Sequence, residues 1–182
     1  FGVLNLKKKY MAEELDYLES ENIPKRPKFL KVLCILSFIS TGAGFISGFI
    51  NLLRGPSSEE EMLDQKVEMT TSIEELSGMG MDGMVDLLDK IQAMTEEIND
   101  NFYFASIVTL ISVGIGFYGV LKMWTGIKVG FHLYIVYCLL SIGSLYLYVS
   151  PSNIPSMIVI FNLLFSGLFI FMYSRNLNWM TK

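Results

Sequence analysis

The chain has 182 residues, of which 52% are hydrophobic, 13% aromatic and 18% charged, with a formal net charge of -4. This balance lies outside the habits of water-soluble domains and points to a membrane as the solvent. A net acidic chain has no electrostatic basis for holding a polyphosphate backbone, so no nucleic-acid partner is expected.

In chain order, residues 1–28 read as a cytoplasmic N-terminal arm. Phe1, Leu4, Met11, Leu15 and Leu18 fall close to one helical face, with Lys7, Lys8 and Lys9 beside it, a pattern suited to a helix lying on an anionic leaflet. Glu13, Glu14, Asp16, Glu19 and Glu21 oppose that attraction, and a solvated or partner-bound arm is the alternative. Phe1 is not an initiator, and Met11 is a start in its own right or an internal residue. A cleaved leader is not expected, because the first apolar run is a full span rather than a short core before small residues.

Four apolar runs follow, at residues 29–53, 102–121, 129–149 and 154–173, and they predict four transmembrane helices. Each is close to the roughly 20 residues needed to cross about 30 Å of hydrocarbon. Lys31 is the one charged residue within them. Open sheet edges find no water in lipid, so runs of this length are read as helices rather than strands.

Residues 54–101, between the first two spans, carry thirteen acidic residues against three basic ones. Gly55 and Pro56 end the first span, and Ser58 with Glu61 three residues later forms a capping-box pattern, so a helix is predicted from Glu59 to Leu76. Ser77, Gly78, Gly80 and Gly83 mark a turn. From Met84, the apolar positions Leu87, Leu88, Ile91, Met94, Ile98 and Phe102 recur by threes and fours, which predicts an amphipathic helix feeding the second span. Met62, Met69, Ile73 and Leu76 make a weaker stripe on the first helix. The two stripes are expected to face each other in an acidic helical hairpin about 30 Å tall.

The remaining connections are short: a loop at 122–128, a link at 150–153 and a tail at 174–182. Eleven of the fourteen Lys and Arg residues fall in the arm, at the start of the first span, in the 122–128 loop and in the tail. By the positive-inside rule these segments are cytoplasmic and the hairpin extracytoplasmic. Trp124, Phe131, Tyr173 and Trp179 at one level, and Phe102, Tyr103, Tyr146 and Tyr148 at the other, suit the two headgroup regions.

Chemistry is sparse. His132 is the one histidine, and no carboxylate lies in a span to orient it, so no Ser/His/Asp arrangement can form at membrane depth. Nucleophile-elbow, zinc-protease and phosphate-loop patterns are absent, and an enzyme is not expected. Cys34 and Cys138 lie within spans and are expected as free thiols. Six of eleven methionines fall in the outer connection. Met79, Met81 and Met84 cluster there as soft thioethers of a kind that binds Cu(I), against the plainer use of Met as an apolar filler. No other cofactor is expected.

Transport through lipid needs intramembrane charge, broken helices or a wet cavity. The candidates for such a pathway are Thr109, His132 and Asn162, with interhelical hydrogen bonding as the plainer role for Asn162. Ser40, Gly44 and Gly48 on the first span, and Ser112 with Gly116 on the second, recur every four residues. This spacing lets helix backbones approach closely, within the chain or against a partner subunit. The first and third spans also share an echo. Residues 32–37 read Val-Leu-Cys-Ile-Leu-Ser and residues 136–141 read Val-Tyr-Cys-Leu-Leu-Ser, which would make the protein two tandem helical hairpins.

Residues 25–37, Lys-Arg-Pro-Lys-Phe-Leu-Lys-Val-Leu-Cys-Ile-Leu-Ser, resemble the opening of uncharacterised small polytopic membrane proteins of Bacteroidota-type bacteria. The resemblance reaches Gly48, about a quarter of the chain. It implies a bacterial inner membrane and carries over no functional residue. The expectation is therefore an all-α, four-span protein with both termini cytoplasmic. It would serve as an accessory or scaffolding subunit that meets a membrane-protein partner, or its own copies, through the acidic hairpin and the small-residue faces. A small oligomeric transporter or channel, and a copper-handling protein, are the alternatives.

Overall fold

The structure, a computed structural model, describes residues 26–180, and no strand occurs among them. The amphipathic arm read from Phe1, Leu4, Met11, Leu15 and Leu18 lies outside the described residues. The helices are α1 (Lys28–Arg54), α2 (Glu59–Gly78), α3 (Asp82–Asp100), α4 (Phe102–Trp124), α5 (Val129–Gly143), α6 (Leu145–Tyr148) and α7 (Ser156–Ser174), with a 3-10 turn at Pro151–Asn153. Four helical segments are long and apolar enough to cross a membrane: α1, α4, α5 continued by α6, and α7. The chain is thus an all-helical protein with four candidate spans.

Helix ends depart from the sequence boundaries for local reasons. The fourth span begins at Ser156 rather than Ile154. Pro155, at φ -62° and ψ 122°, holds the chain extended, and a proline also turns the residue before it away from helix. The second span runs past Leu121 to Trp124, because Lys122 lies along the helix with its Nζ 5.0 Å from the Tyr118 ring and keeps its charge at the end of the span. The third span breaks at Ser144 into α5 and α6 and ends at Tyr148, with Val149 already extended.

The closest packing joins α4 and α5. A Cβ added at Gly130 would overlap the Gly119 carbonyl oxygen and lie 2.5 Å from the Met123 amide nitrogen. One added at Gly119 would lie 3.0 Å from the Gly130 carbonyl oxygen. Lipid tails are as apolar as leucine, so helices in a bilayer gain by dispersion contact, and two facing glycines bring backbones together. One turn further along α4, the space left by Gly116 is filled by the Tyr137 ring, whose Cγ would be 2.7 Å from an added Cβ.

The opposite side of α4 receives α1. Gly44 faces Val113 and Gly48 faces Leu110, whose Cδ2 would be 3.1 Å from an added Cβ. Gly44 and Gly48 are thus used inside the chain. Ser40, in the same row, instead borders a cleft among α1, α5 and α7, and Gly116, in a row with Ser112, meets Tyr137 of α5. A heptad-like row of small residues drifts around a straight helix, so its members face different neighbours. Ser112 is buried.

The core sits toward the end holding the 122–128 loop, where Leu30, Leu33, Cys34, Val120, Met123 and Tyr173 are buried. There the Arg26 guanidinium donates to the Trp124 carbonyl at 2.6 Å and stacks 3.8 Å over the Trp124 ring. This contact satisfies a helix-end carbonyl and adds a cation-π contact. Gly126, at φ +79°, makes the turn beneath Trp179. By contrast, Tyr173 is the one buried residue of α7, which borders the others along one edge.

Replacing Gly130 by Ala is expected to lower stability by about 1–3 kcal/mol through overpacking. The same change at Gly143, where an added Cβ meets nothing within 4 Å, should be neutral. Thermal unfolding of the two variants in detergent separates them.

Candidate functional site

Polar side chains and open space combine in the α2–α3 hairpin, in the cleft beside α7 and in a third cleft near Thr109. In the hairpin, Ser58 Oγ accepts from the Glu61 amide at 3.2 Å while Glu61 accepts from the Ser58 amide at 2.9 Å, so the capping box forms. Gly80, at φ +71°, reverses the chain between the helices. Across a groove of about 330 Å³, Met62 and Met69 of α2 oppose Gln92, Thr95 and Glu96 of α3, and Lys66 pairs with Glu96 at 3.1 Å.

Part of the apolar stripe of α3 borders α7: Leu87 and Ile91 line a shallow cleft of about 430 Å³ together with Met157, Ile158, Phe161, Asn162 and Phe165. Nearer the base of the hairpin, Met62 of α2 and Ile98 of α3, one from each stripe, line a common cleft. The apolar side chains of α3 are thus shared between α2 and α7.

The base of α3 is anchored by polar residues that its apolar periodicity does not single out. Glu97 accepts from the Ser150 amide and, at 2.9 Å, from Asn153 Nδ2. Asn99 accepts from the Ser57 amide at 2.8 Å and donates to the Ser57 carbonyl at 3.2 Å. Asn101 donates to the Tyr148 carbonyl at 3.4 Å. One turn of helix thus ties the entry of the hairpin to its exit and to the 150–153 link. The signal available in the sequence was the polar run Asn99, Asp100, Asn101 at the start of an apolar span.

The amide of Ser150, with further help from its side chain and from Asn153, holds the Glu97 carboxyl below the ordinary value of 4.5. The Lys66 ammonium does the same for Glu96.

The second region lies among the candidate spans. Ser37, Ser40 and Thr41 of α1, Tyr134, Tyr137, Cys138 and Ser141 of α5, and Asn162 and Ser166 of α7 line a cleft of about 350 Å³. Of these, Ser37 Oγ accepts from the Tyr173 hydroxyl at 2.8 Å. Ser141 and Ser166 both donate to Asn162 Oδ1, at 3.4 and 3.3 Å. The echo between the first and third spans acquires a geometry here. Ser37 accepts from the Tyr173 hydroxyl and Ser141 donates to Asn162, so the serine of each Cys-x-x-Ser pair is bonded to α7. Both thiols are free and buried.

The three pathway candidates do not meet. Asn162 is in this cleft. Thr109 borders a separate cleft of about 380 Å³ near Asn51, Arg54, Asn99 and Tyr148. His132 is exposed on α5, its Nδ1 3.2 Å from the Lys128 carbonyl. Met79, Met81 and Met84 stand at the hairpin tip, 67, 45 and 51% exposed. Among the described residues, no group of three or more His, Cys, Asp or Glu side chains is placed to hold a metal.

Comparison with family models, with curated proteins and with solved structures finds no match for this chain. The functional reading therefore rests on the geometry.

Because the folded-state value of Glu97 is depressed, its contribution is present above about pH 4.5 and is lost as pH falls through the lowered folded value. Amide exchange at Ser150 is expected to accelerate over that acid range. Glu97→Gln should exchange faster at neutral pH and lose the acid dependence.

Proposed function

We propose that this protein is a non-enzymatic accessory or scaffolding subunit of a bacterial inner membrane, with both termini cytoplasmic and the acidic hairpin on the other side, where it engages a basic surface of a membrane-protein partner. The observation that carries the reading is the state of α2. None of its 20 residues is buried, and one face carries Glu60, Asp64 and Glu74 around Leu63 and Val67, which are 60 and 59% exposed. An apolar pair ringed by carboxylates is a fitting complement to a basic, partly apolar surface, since opposite charge steers encounter and apolar area supplies affinity. A second copy of the same face would be repelled by like charge, which favours a different chain as the partner.

Of the spaced small residues that could have gripped a partner inside the bilayer, Gly44, Gly48 and Gly116 are taken up within the chain, by Val113, Leu110 and Tyr137. This directs the interaction to the hairpin. The separation of Thr109, His132 and Asn162 supports the scaffold over a conduction pathway, because a pathway needs continuous polar lining.

The test is purification of the full chain in mild detergent, with and without the combined changes Glu60→Lys, Asp64→Lys and Glu74→Lys. A partner that copurifies with the wild type is expected to fall at least about tenfold in yield with the variant, and to weaken as salt rises. A wild type that emerges alone, or a partner retained equally by the variant, contradicts the proposal.

A further inference from the structure

We propose that the cleft among α1, α5 and α7 binds a neutral, lipid-soluble molecule through a carbonyl group, with Asn162 as the donor. The depth comes first. Ser37 lies nine residues into α1 and Asn162 six residues into α7, about 13 Å and 9 Å from opposite membrane faces at 1.5 Å per residue. The cleft therefore lies between the two ends of the candidate spans, where apolar side chains surround it and few other groups can satisfy its polar atoms.

The polar groups are only partly paired. Both serine hydroxyls at Asn162 converge on Oδ1, and Asn162 Nδ2 has no partner among the described residues. The same is true of Ser40 Oγ and the Tyr137 hydroxyl, on the facing walls of the same cleft. An amide left unpaired in hydrocarbon is costly, and a carbonyl oxygen answers an amide N–H and a phenol together.

Size and charge narrow the occupant. The volume of about 350 Å³ is within the roughly 300–1,000 Å³ of small-molecule sites, enough for a ring or headgroup but not a folded segment. No Asp, Glu, Lys or Arg lines it, so a charged ligand would enter unpaired at large cost. The entrance is lateral. Asn162 and Phe165 border both this cleft and the shallower one beneath Leu87 and Ile91 of α3, so a molecule arriving along the apolar side of α7 meets Asn162 directly. Two sources share this chemistry: the ring carbonyls of a quinone and the ester carbonyls of a phospholipid.

The experiment places the full chain in phosphatidylcholine nanodiscs. It is titrated with a dimethoxy-methyl-benzoquinone bearing a ten-carbon tail, with quenching of intrinsic tyrosine and tryptophan fluorescence as readout. A parallel arm measures lipid retained after detergent washing. Saturable quenching is expected in the wild type, weakened about three- to tenfold in Asn162→Leu, as for one lost hydrogen bond. Asn162→Gln should keep part of the binding, and Leu163→Ala on the outer face should leave it unchanged. Ser40→Ala serves as a second cleft variant should Asn162→Leu fail to fold. Phospholipid retained by the wild type and lost in the cleft variants, without quinone saturation, identifies the ester carbonyl as the occupant and also supports the proposal. Binding of both compounds that is absent, or unaffected by the cleft variants, overturns it.

Discussion

The backbones of α4 and α5 touch at Gly119 and Gly130, and the rest of the arrangement follows from that contact. In lipid the hydrophobic effect does not gather helices, so the pair that can approach most closely associates best. With α5 held on one side, the other side of α4 is open to α1, which docks through Gly44 and Gly48. The last span, α7, is left with an edge between α1 and α5 and only Tyr173 buried. A helix held so lightly cannot close the space beside it, and the polar cleft at Asn162 is that space.

The two clefts that share Phe165 connect the membrane part to the hairpin. The amphipathic helix α3 turns Leu87 and Ile91 toward α7 while Glu97, Asn99 and Asn101 pin its base to the 150–153 link, the hairpin entry and α6.

Much of this was legible in the sequence, and for identifiable reasons. Four hydrocarbon-length runs, the capping box at Ser58 and Glu61, and the Gly80 reversal are local signals that need no partner to be read. The closeness of α4 and α5 was not legible, because Gly119 and Gly130 fall on different helices, and the row Ser112, Gly116, Gly119 does not by itself say which neighbour it meets. The start of α7 at Ser156 was readable in principle from Pro155 but was masked by the apolar Ile154 before it. Asn162 was singled out as the polar residue of the fourth span, yet its partners Ser141 and Ser166 emerge only once two helices are set side by side. Glu97 read as one more solvent-facing carboxylate, since nothing local distinguishes an acid that caps a distant turn.

The account stands on four membrane-crossing helices with the acidic hairpin away from the cytoplasm. Single cysteines placed at Glu74 in the hairpin and at Thr125 in the α4–α5 turn, probed in intact cells with a membrane-impermeant maleimide, test this directly. Labelling is predicted at position 74 before lysis and at position 125 only after it. Labelling at position 125 in intact cells, with position 74 protected, would contradict it.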